Sequence, residues 1–140
     1  MKLQTYLNFG GNCAEAFKYY EKHLGAKIGM LMTFDQMPGA QNLDPKTAKG
    51  VLHGTITIAG TNVMASDVPD GRYQPTRSCY LCIGVDSDAE AERIYNALSD
   101  GGEIFMKLEE QFFAYKYAQL RDKFGVSWMV IHEKPMGPPQ

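Results

Sequence analysis

Side chains that could bind or activate a small molecule stand on a predicted strand near the middle of the chain. In Val51 to Ala59 the residues alternate, so His53 and Thr55 share one face while Ile56 and Ile58 occupy the other. An imidazole at mid-strand could act as a general base or hold an anionic group. It could equally line the sheet as a hydrogen-bonded histidine. Because the spacing fixes no second catalytic group near it, we favour the second interpretation and assign no catalytic residue.

A dense aromatic run, Gln111-Phe112-Phe113-Ala114-Tyr115-Lys116-Tyr117, is the second candidate. Aromatic side chains could form a cavity wall that stacks on a planar or apolar ligand. The same run could pack in a core or at a dimer contact, and the sequence does not decide between these.

Acidic residues at predicted strand ends are weaker candidates. Asp35, Asp67 and Asp70 could supply carboxylates for acid–base catalysis. Acidic residues at turns more commonly hydrogen-bond the backbone, and we expect that role for them.

The three cysteines favour neither disulfides nor redox chemistry. Cys13, Cys79 and Cys82 give an odd count, which argues against a disulfide framework. Cys79 and Cys82 stand three apart in a predicted strand, where side chains alternate, so they should point to opposite sides. We expect buried structural thiols.

An internal repeat positions these residues. Ala14-Glu15-Ala16 with Tyr20 returns as Ala89-Glu90-Ala91 with Tyr95, each time after an extended stretch. The first helix should begin at Asn12, an N-cap residue with Glu15 at the capping-box spacing. Predicted strands cover residues 3–9, 26–35, 51–59, 62–66, 78–85, 103–108, 115–121 and 126–132, and predicted helices cover 12–24 and 87–98.

This order predicts an α+β protein of two tandem βαβββ modules, residues 1–68 and 77–133, with the helices covering the outer, apolar face of a mixed sheet. Residues 36–49 should form a long polar loop, and the tail 134–140 should be disordered. The other face of the sheet, with Thr5, His53, Thr55, Tyr80 and Tyr117, is too polar for a second dry core, so we expect it to line a ligand cavity where the two modules meet.

Composition excludes several classes of protein. The chain has 140 residues and a net charge of -2, with no basic stripe for nucleic acid. No apolar run reaches the ~18 residues of a membrane span, and the N-terminus has no signal-peptide pattern. We expect a cytoplasmic protein that binds neither nucleic acid nor membrane.

The chain resembles the PhnB-like group of the vicinal oxygen chelate (VOC) superfamily, which includes glyoxalase I, extradiol dioxygenases and bleomycin resistance proteins. The resemblance rests on Tyr6 to Ala16, Tyr19-Tyr20, Leu24-Gly25, Ser66-Asp67 and Asp122 to Met129. It implies a U-shaped sheet around a cavity and a homodimer.

Enzymes of this superfamily commonly hold a divalent metal on His, Glu or Gln side chains. Carried over, the ligand positions fall on Thr5, Tyr80, Met64 or Ser66, and Met129. These are poor ligands for such ions, which prefer carboxylate oxygen or imidazole nitrogen. We therefore predict no metal and no cofactor. The methyltransferase label that some PhnB-like proteins carry has no support either, because Gly10-Gly11 lacks the third glycine of a nucleotide-binding loop.

The sequence thus predicts a metal-free small-molecule-binding protein. The alternative is a metal-dependent lyase, isomerase or dioxygenase-like enzyme with a non-standard ligand set that includes His53. The predicted ligand-binding residues are Thr5, His53, Thr55, Tyr80, Gln111, Phe113, Tyr117 and Met129.

Overall fold

The structure, a computed structural model, describes residues 1–68 and 71–135. It divides into two compact units, Met1–Gln74 and Pro75–Gln140. Each predicted module lies within one unit. Most of the tail predicted to be disordered, residues 136–140, lies outside the described residues, whereas the Lys134 backbone N–H donates to the carbonyl of Phe113 at 2.9 Å.

The two units repeat one element order. The first contains β1 (Thr5–Phe9), α1 (Cys13–Leu24), β2 (Lys27–Thr33), a 3₁₀ turn (Phe34–Gln36), α2 (Pro45–Ala48), β3 (Val51–Ile58) and β4 (Thr61–Asp67). The second contains β5 (Leu81–Gly84), α3 (Asp88–Ser99), β6 (Glu103–Gln111), β7 (Ala114–Arg121) and β8 (Ser127–Glu133).

Each unit forms a four-stranded mixed sheet of the same topology. The strand orders are β1-β4-β3-β2 and β5-β8-β7-β6. The first strand of each unit pairs in parallel with the last, and the remaining pairs are antiparallel. The predicted α+β fold of two βαβββ repeats is confirmed.

Helix α1 covers one face of the first sheet because both surfaces are apolar. Phe17 meets Phe9 edge-on with ring centroids 6.3 Å apart, and both are fully buried. A Cβ placed on Gly54 would lie 3.1 Å from the Phe17 ring, so the missing side chain lets the helix approach β3. Since side chains alternate along a strand, His53 and Thr55 point away from α1.

The start of α1 is capped from a distant strand, which corrects the prediction for Asn12. Asn12 occupies the N-cap position but its side chain makes no capping hydrogen bond. Instead Asp67, buried at the end of β4, accepts the backbone N–H groups of Gly11 and Cys13 at 3.0 Å each. Its other oxygen accepts the Val51 N–H at 2.8 Å. Asp67 thus has the backbone role predicted for it.

Helix α3 covers one face of the second sheet in the same way. Its buried residues are Ala91, Ile94 and Leu98. Asp88 and Glu92 on α3 reach His132 on β8 (2.8 Å) and Lys116 on β7 (3.7 Å), two residues that pair across the sheet. These two contacts show that Lys116 and His132 lie on the face of the sheet that packs against α3.

The predicted polar loop contains structure of its own. Asp44 caps α2 by accepting the Thr47 N–H at 3.0 Å, and Pro45 follows it as the first helical residue. This Asp-Pro signal is present in the sequence and was missed. No helix among residues 1–68 and 71–135 is long and apolar enough to cross a membrane.

Candidate functional site

The face of the first sheet opposite α1, here called the first helix-free face, carries His53 and Thr55 as predicted. Thr55 pairs with Met64 on β4, and Met64 pairs with Tyr6 on β1, so these side chains share the face. The Tyr6 hydroxyl lies 3.2 Å from His53 Nδ1, with ring centroids 5.8 Å apart. Tyr6 therefore orients the imidazole of His53. The sequence analysis did not identify Tyr6 as its partner.

Thr5 does not belong to this face, and the prediction that placed it there is wrong. It pairs with Val63, which pairs with Ile56, and both of these are buried on the α1 side. The physical reason is the two-residue period of a strand, since a shift of one position moves a side chain to the other face. The residue of β1 beside His53 is Tyr6.

The face of the second sheet opposite α3, the second helix-free face, gathers most of the other predicted residues. Tyr117 and Gln119 alternate with residues on the helix side of β7, and Gln119 pairs with Met129 on β8. Tyr80, which directly precedes β5, joins them through its side chain.

A continuous chain of hydrogen bonds runs across this second helix-free face. The Arg77 guanidinium donates to the Tyr80 hydroxyl at 2.8 Å, and that hydroxyl donates to Gln119 Oε1 at 3.2 Å. Gln119 Nε2 in turn donates to the Tyr117 hydroxyl at 2.8 Å. Each group is fixed by its neighbour, and the hydroxyl proton of Tyr117 has no acceptor among residues 1–68 and 71–135.

Aromatic rings flank this hydrogen-bonded chain at both ends. Phe113 contacts Tyr117 with ring centroids 5.1 Å apart. At the other end the Arg77 guanidinium carbon lies 4.0 Å from the centre of the Phe105 ring, a cation–π contact. The face therefore offers aromatic surface next to ordered polar groups.

The two other predicted residues to be placed are Met129 and Gln111. Met129 is half-buried and pairs with Cys82 on the second helix-free face. Gln111 is the last residue of β6, at the hairpin, where it pairs with Ala114. Neither joins the hydrogen-bonded chain.

The cysteines are not all buried, which corrects one expectation. Cys13 is buried, whereas Cys79 and Cys82 are exposed and free. Burial, with a smaller contribution from the charge of Asp67, raises the pKa of the Cys13 thiol to about 12. Desolvation followed by the nearby Glu133 carboxylate also raises the pKa of Cys82, so this thiol stays protonated beside Met129.

Within residues 1–68 and 71–135 no group of three or more His, Cys, Asp or Glu side chains could hold a metal ion. His53 has a phenol as its neighbour, and the second helix-free face presents phenols, an amide and a thioether. Hard and borderline cations prefer carboxylate oxygen and imidazole nitrogen to neutral phenols and thioethers.

Comparison with known proteins identifies the family. Residues 1–131 match the family model described as 3-demethylubiquinone-9 3-methyltransferase. Protein YjdN of Escherichia coli is 34% identical over 96% of this chain and 99% of its own length. Protein PA1353 of Pseudomonas aeruginosa is also 34% identical, over 96% of this chain and 99% of that one, with a TM-score of 0.83.

The chain belongs to this PhnB-like family. A PhnB protein from Bacillus cereus has 25% identity and a TM-score of 0.81, covering 94% of this chain and 99% of its own. The fold also matches a glyoxylase/bleomycin resistance protein/dioxygenase domain from Frankia, with a TM-score of 0.64, 13% identity, and coverage of 96% and 98%. At that identity the Frankia likeness concerns the fold alone.

Proposed function

We propose that this PhnB-like protein binds a planar small molecule that carries a hydrogen-bond acceptor, on the second helix-free face and without a metal ion. The observation that carries the proposal is the ordered chain Arg77–Tyr80–Gln119–Tyr117, which ends in a hydroxyl free to donate. A ligand carbonyl or phenolate oxygen would accept that proton.

The aromatic surroundings support a planar ligand. Offset or edge-on contact with Phe113 and Tyr117 would favour a flat ring system over a bulky aliphatic one. Ligand sites generally combine apolar and aromatic surface with a few fixed polar groups, which is the composition of this face. A site of this kind selects a ligand by shape and by one or two hydrogen bonds, without any bond being broken.

The methyltransferase activity named in the family description has no comparable support. A nucleoside cofactor is commonly cradled by a glycine-rich loop between a strand and a helix. Here the corresponding turn contains only Gly10 and Gly11, and the N–H of Gly11 is already bound by Asp67. We therefore place binding ahead of group transfer.

Coumarin and indole test the proposal as a matched pair of planar probes. Both are flat bicyclic molecules, but coumarin has a carbonyl acceptor whereas indole offers only an N–H donor. Coumarin should bind more tightly and should shift the NMR signals of Tyr117 and the Met129 methyl group. Saturable binding at other residues, or equal affinity for the two probes, would contradict the proposal.

Tyr117→Phe supplies the decisive variant because it removes one oxygen atom and keeps the ring. It should weaken coumarin about five- to tenfold, the effect of losing one hydrogen bond in a partly desolvated site. Tyr115→Phe is the control on the same strand, since Tyr115 is 40% exposed and its ring contacts His132. An unchanged coumarin affinity in Tyr117→Phe would remove the basis of the proposal.

A metal-dependent lyase, isomerase or dioxygenase-like activity centred on His53 is the alternative, and metal retention separates the two. The tag-free protein is incubated with Zn, Ni, Mn or Fe(II), desalted and subjected to elemental analysis. We expect no near-stoichiometric metal. Retention that disappears in His53→Ala would support the metal enzyme instead.

A further inference from the structure

We propose that a cavity in the first unit, separate from both helix-free faces, binds a small carboxylic acid with an apolar body. The cavity has a volume of about 470 Å³, within the range of small-molecule sites. It lies where the β1–α1 turn, the end of β4 and the segment around α2 meet. Its lining residues with side chains relevant to a ligand are Phe34, Met37, Leu43, Lys46, Lys49 and Val68.

The apolar wall is held in place by ordered backbone contacts. The Phe34 N–H donates to the Gly50 carbonyl at 3.0 Å, and the Met37 N–H donates to the Phe34 carbonyl at 3.1 Å. A Cβ on Gly50 would come within 3.2 Å of the Thr47 carbonyl and 3.4 Å of the Phe34 ring. Glycine at position 50 thus lets β3 begin directly beside this wall.

Two lysines give the cavity its charge preference. Lys46 and Lys49 both line it, both are exposed, and neither forms an ion pair with any residue of 1–68 or 71–135. The cavity also borders Gly10 and Gly11 ahead of α1, where the carboxylate of Asp67 already accepts the Gly11 N–H. An anionic group would satisfy both lysines while its apolar part contacts Phe34 and Leu43.

Asp67 determines which anion fits. Its carboxylate also lines the cavity, but both oxygens are engaged by the N–H groups of Gly11, Cys13 and Val51. These N–H groups stabilise the carboxylate without a cation. Its negative charge repels any anion beside it, and it repels a doubly charged anion more strongly than a singly charged one. A singly charged carboxylate near Lys46 and Lys49 fits this balance better than a phosphate.

Octanoate and octanol are the probes, because they share a hydrocarbon chain and differ in charge. Octanoate should bind saturably, and methyl NMR should show shifts at Met37, Leu43 and Val68. Octanol should bind at least several-fold more weakly. Shifts confined to other residues, equal binding of octanol, or no saturable octanoate binding would each overturn the proposal.

The double variant Lys46→Gln/Lys49→Gln tests the charge recognition. It should weaken octanoate roughly three- to tenfold, as expected for two exposed ion pairs, and should leave octanol unchanged. The control is Lys22→Gln, an exposed lysine in the last turn of α1. Equal weakening by the control, or none by the double variant, would overturn the proposal.

Discussion

Asp67 Oδ1 lies 3.0 Å from the backbone nitrogen of Cys13, a residue 54 positions earlier in the chain. This hydrogen bond ties the end of β4 to the start of α1, and the same carboxylate binds the first N–H of β3 through Val51. One buried side chain therefore joins three elements of the first unit.

Asp67→Asn should destabilise the protein by about 2 kcal/mol. The amide can accept hydrogen bonds at only one atom, so its NH₂ group must face either the Val51 N–H or those of Gly11 and Cys13. A buried donor is then left without an acceptor. Urea unfolding followed by circular dichroism measures the loss.

The control for this substitution is Asp100→Asn, at an exposed position after α3. It should change the free energy of unfolding by no more than about 0.5 kcal/mol. Similar values for Asp67→Asn and Asp100→Asn would mean that the cap contributes little to folding.

Gly54→Ala should also destabilise the first unit, by about 1–3 kcal/mol, through overpacking. The added methyl group would lie 3.0 Å from Leu31 Cδ2 and 3.1 Å from the Phe17 ring, which pushes α1 off the sheet. Gly84→Ala on β5 is the matched control, since nothing lies within 4 Å of its Cβ position. Thermal unfolding of both variants should show a lower midpoint for Gly54→Ala only.

Much of the fold was predictable because the periodicity of each strand is local information. The alternation of β3 correctly separated His53 and Thr55 from Ile56 and Ile58. The cap of α1 was not predictable in this way. Asn12 has the right local chemistry, but Asp67 reaches the helix only after the sheet has formed, so the signal is tertiary.

The candidate site was predictable only in part, for the same reason. Tyr80 and Tyr117 were placed on one face from the strand pattern, and Met129 came from the family resemblance. Thr5 was assigned to the wrong face because nothing in the short strand β1 fixed its register. Cross-strand partners such as Tyr6 for His53 depend on which strands pair. The homodimer and the cytoplasmic location, drawn from the resemblance and the composition, stay predictions.

Gln119→Leu should reduce coumarin affinity as strongly as Tyr117→Phe, although we propose no direct contact of Gln119 with the ligand. Without the amide, the Tyr80 hydroxyl loses its acceptor and the Tyr117 hydroxyl loses its donor, so the terminal hydroxyl is no longer oriented. The double variant Gln119→Leu/Tyr117→Phe should lose little more than either single one. Additive losses, measured by calorimetric titration, would show that the two residues act independently.

Thiol labelling should distinguish the three cysteines. In the native protein at pH 8, Cys79 should react with Ellman's reagent first because it is exposed. Cys82 should react more slowly since its raised pKa leaves less thiolate. Cys13 should react only after unfolding. Cys79→Ser and Cys82→Ser assign the two phases, and a fast third thiol would contradict the burial of Cys13.

Because of Cys13, the free energy of unfolding should fall as the pH rises above about 9. Its pKa is raised from 9.0 to about 12 by burial, so the folded state keeps a proton that the unfolded state loses in this window. The stabilisation is complete below pH 9 and declines by about 1.4 kcal/mol per pH unit above it. Cys13→Ala lacks this proton while retaining every other titrating group. The unfolding free energy of both proteins is measured in urea at pH 8, 9 and 10. The value for the wild type should therefore fall relative to that for Cys13→Ala as the pH rises. A difference that stays constant across this range would mean that the thiol ionises with a similar pKa in both states.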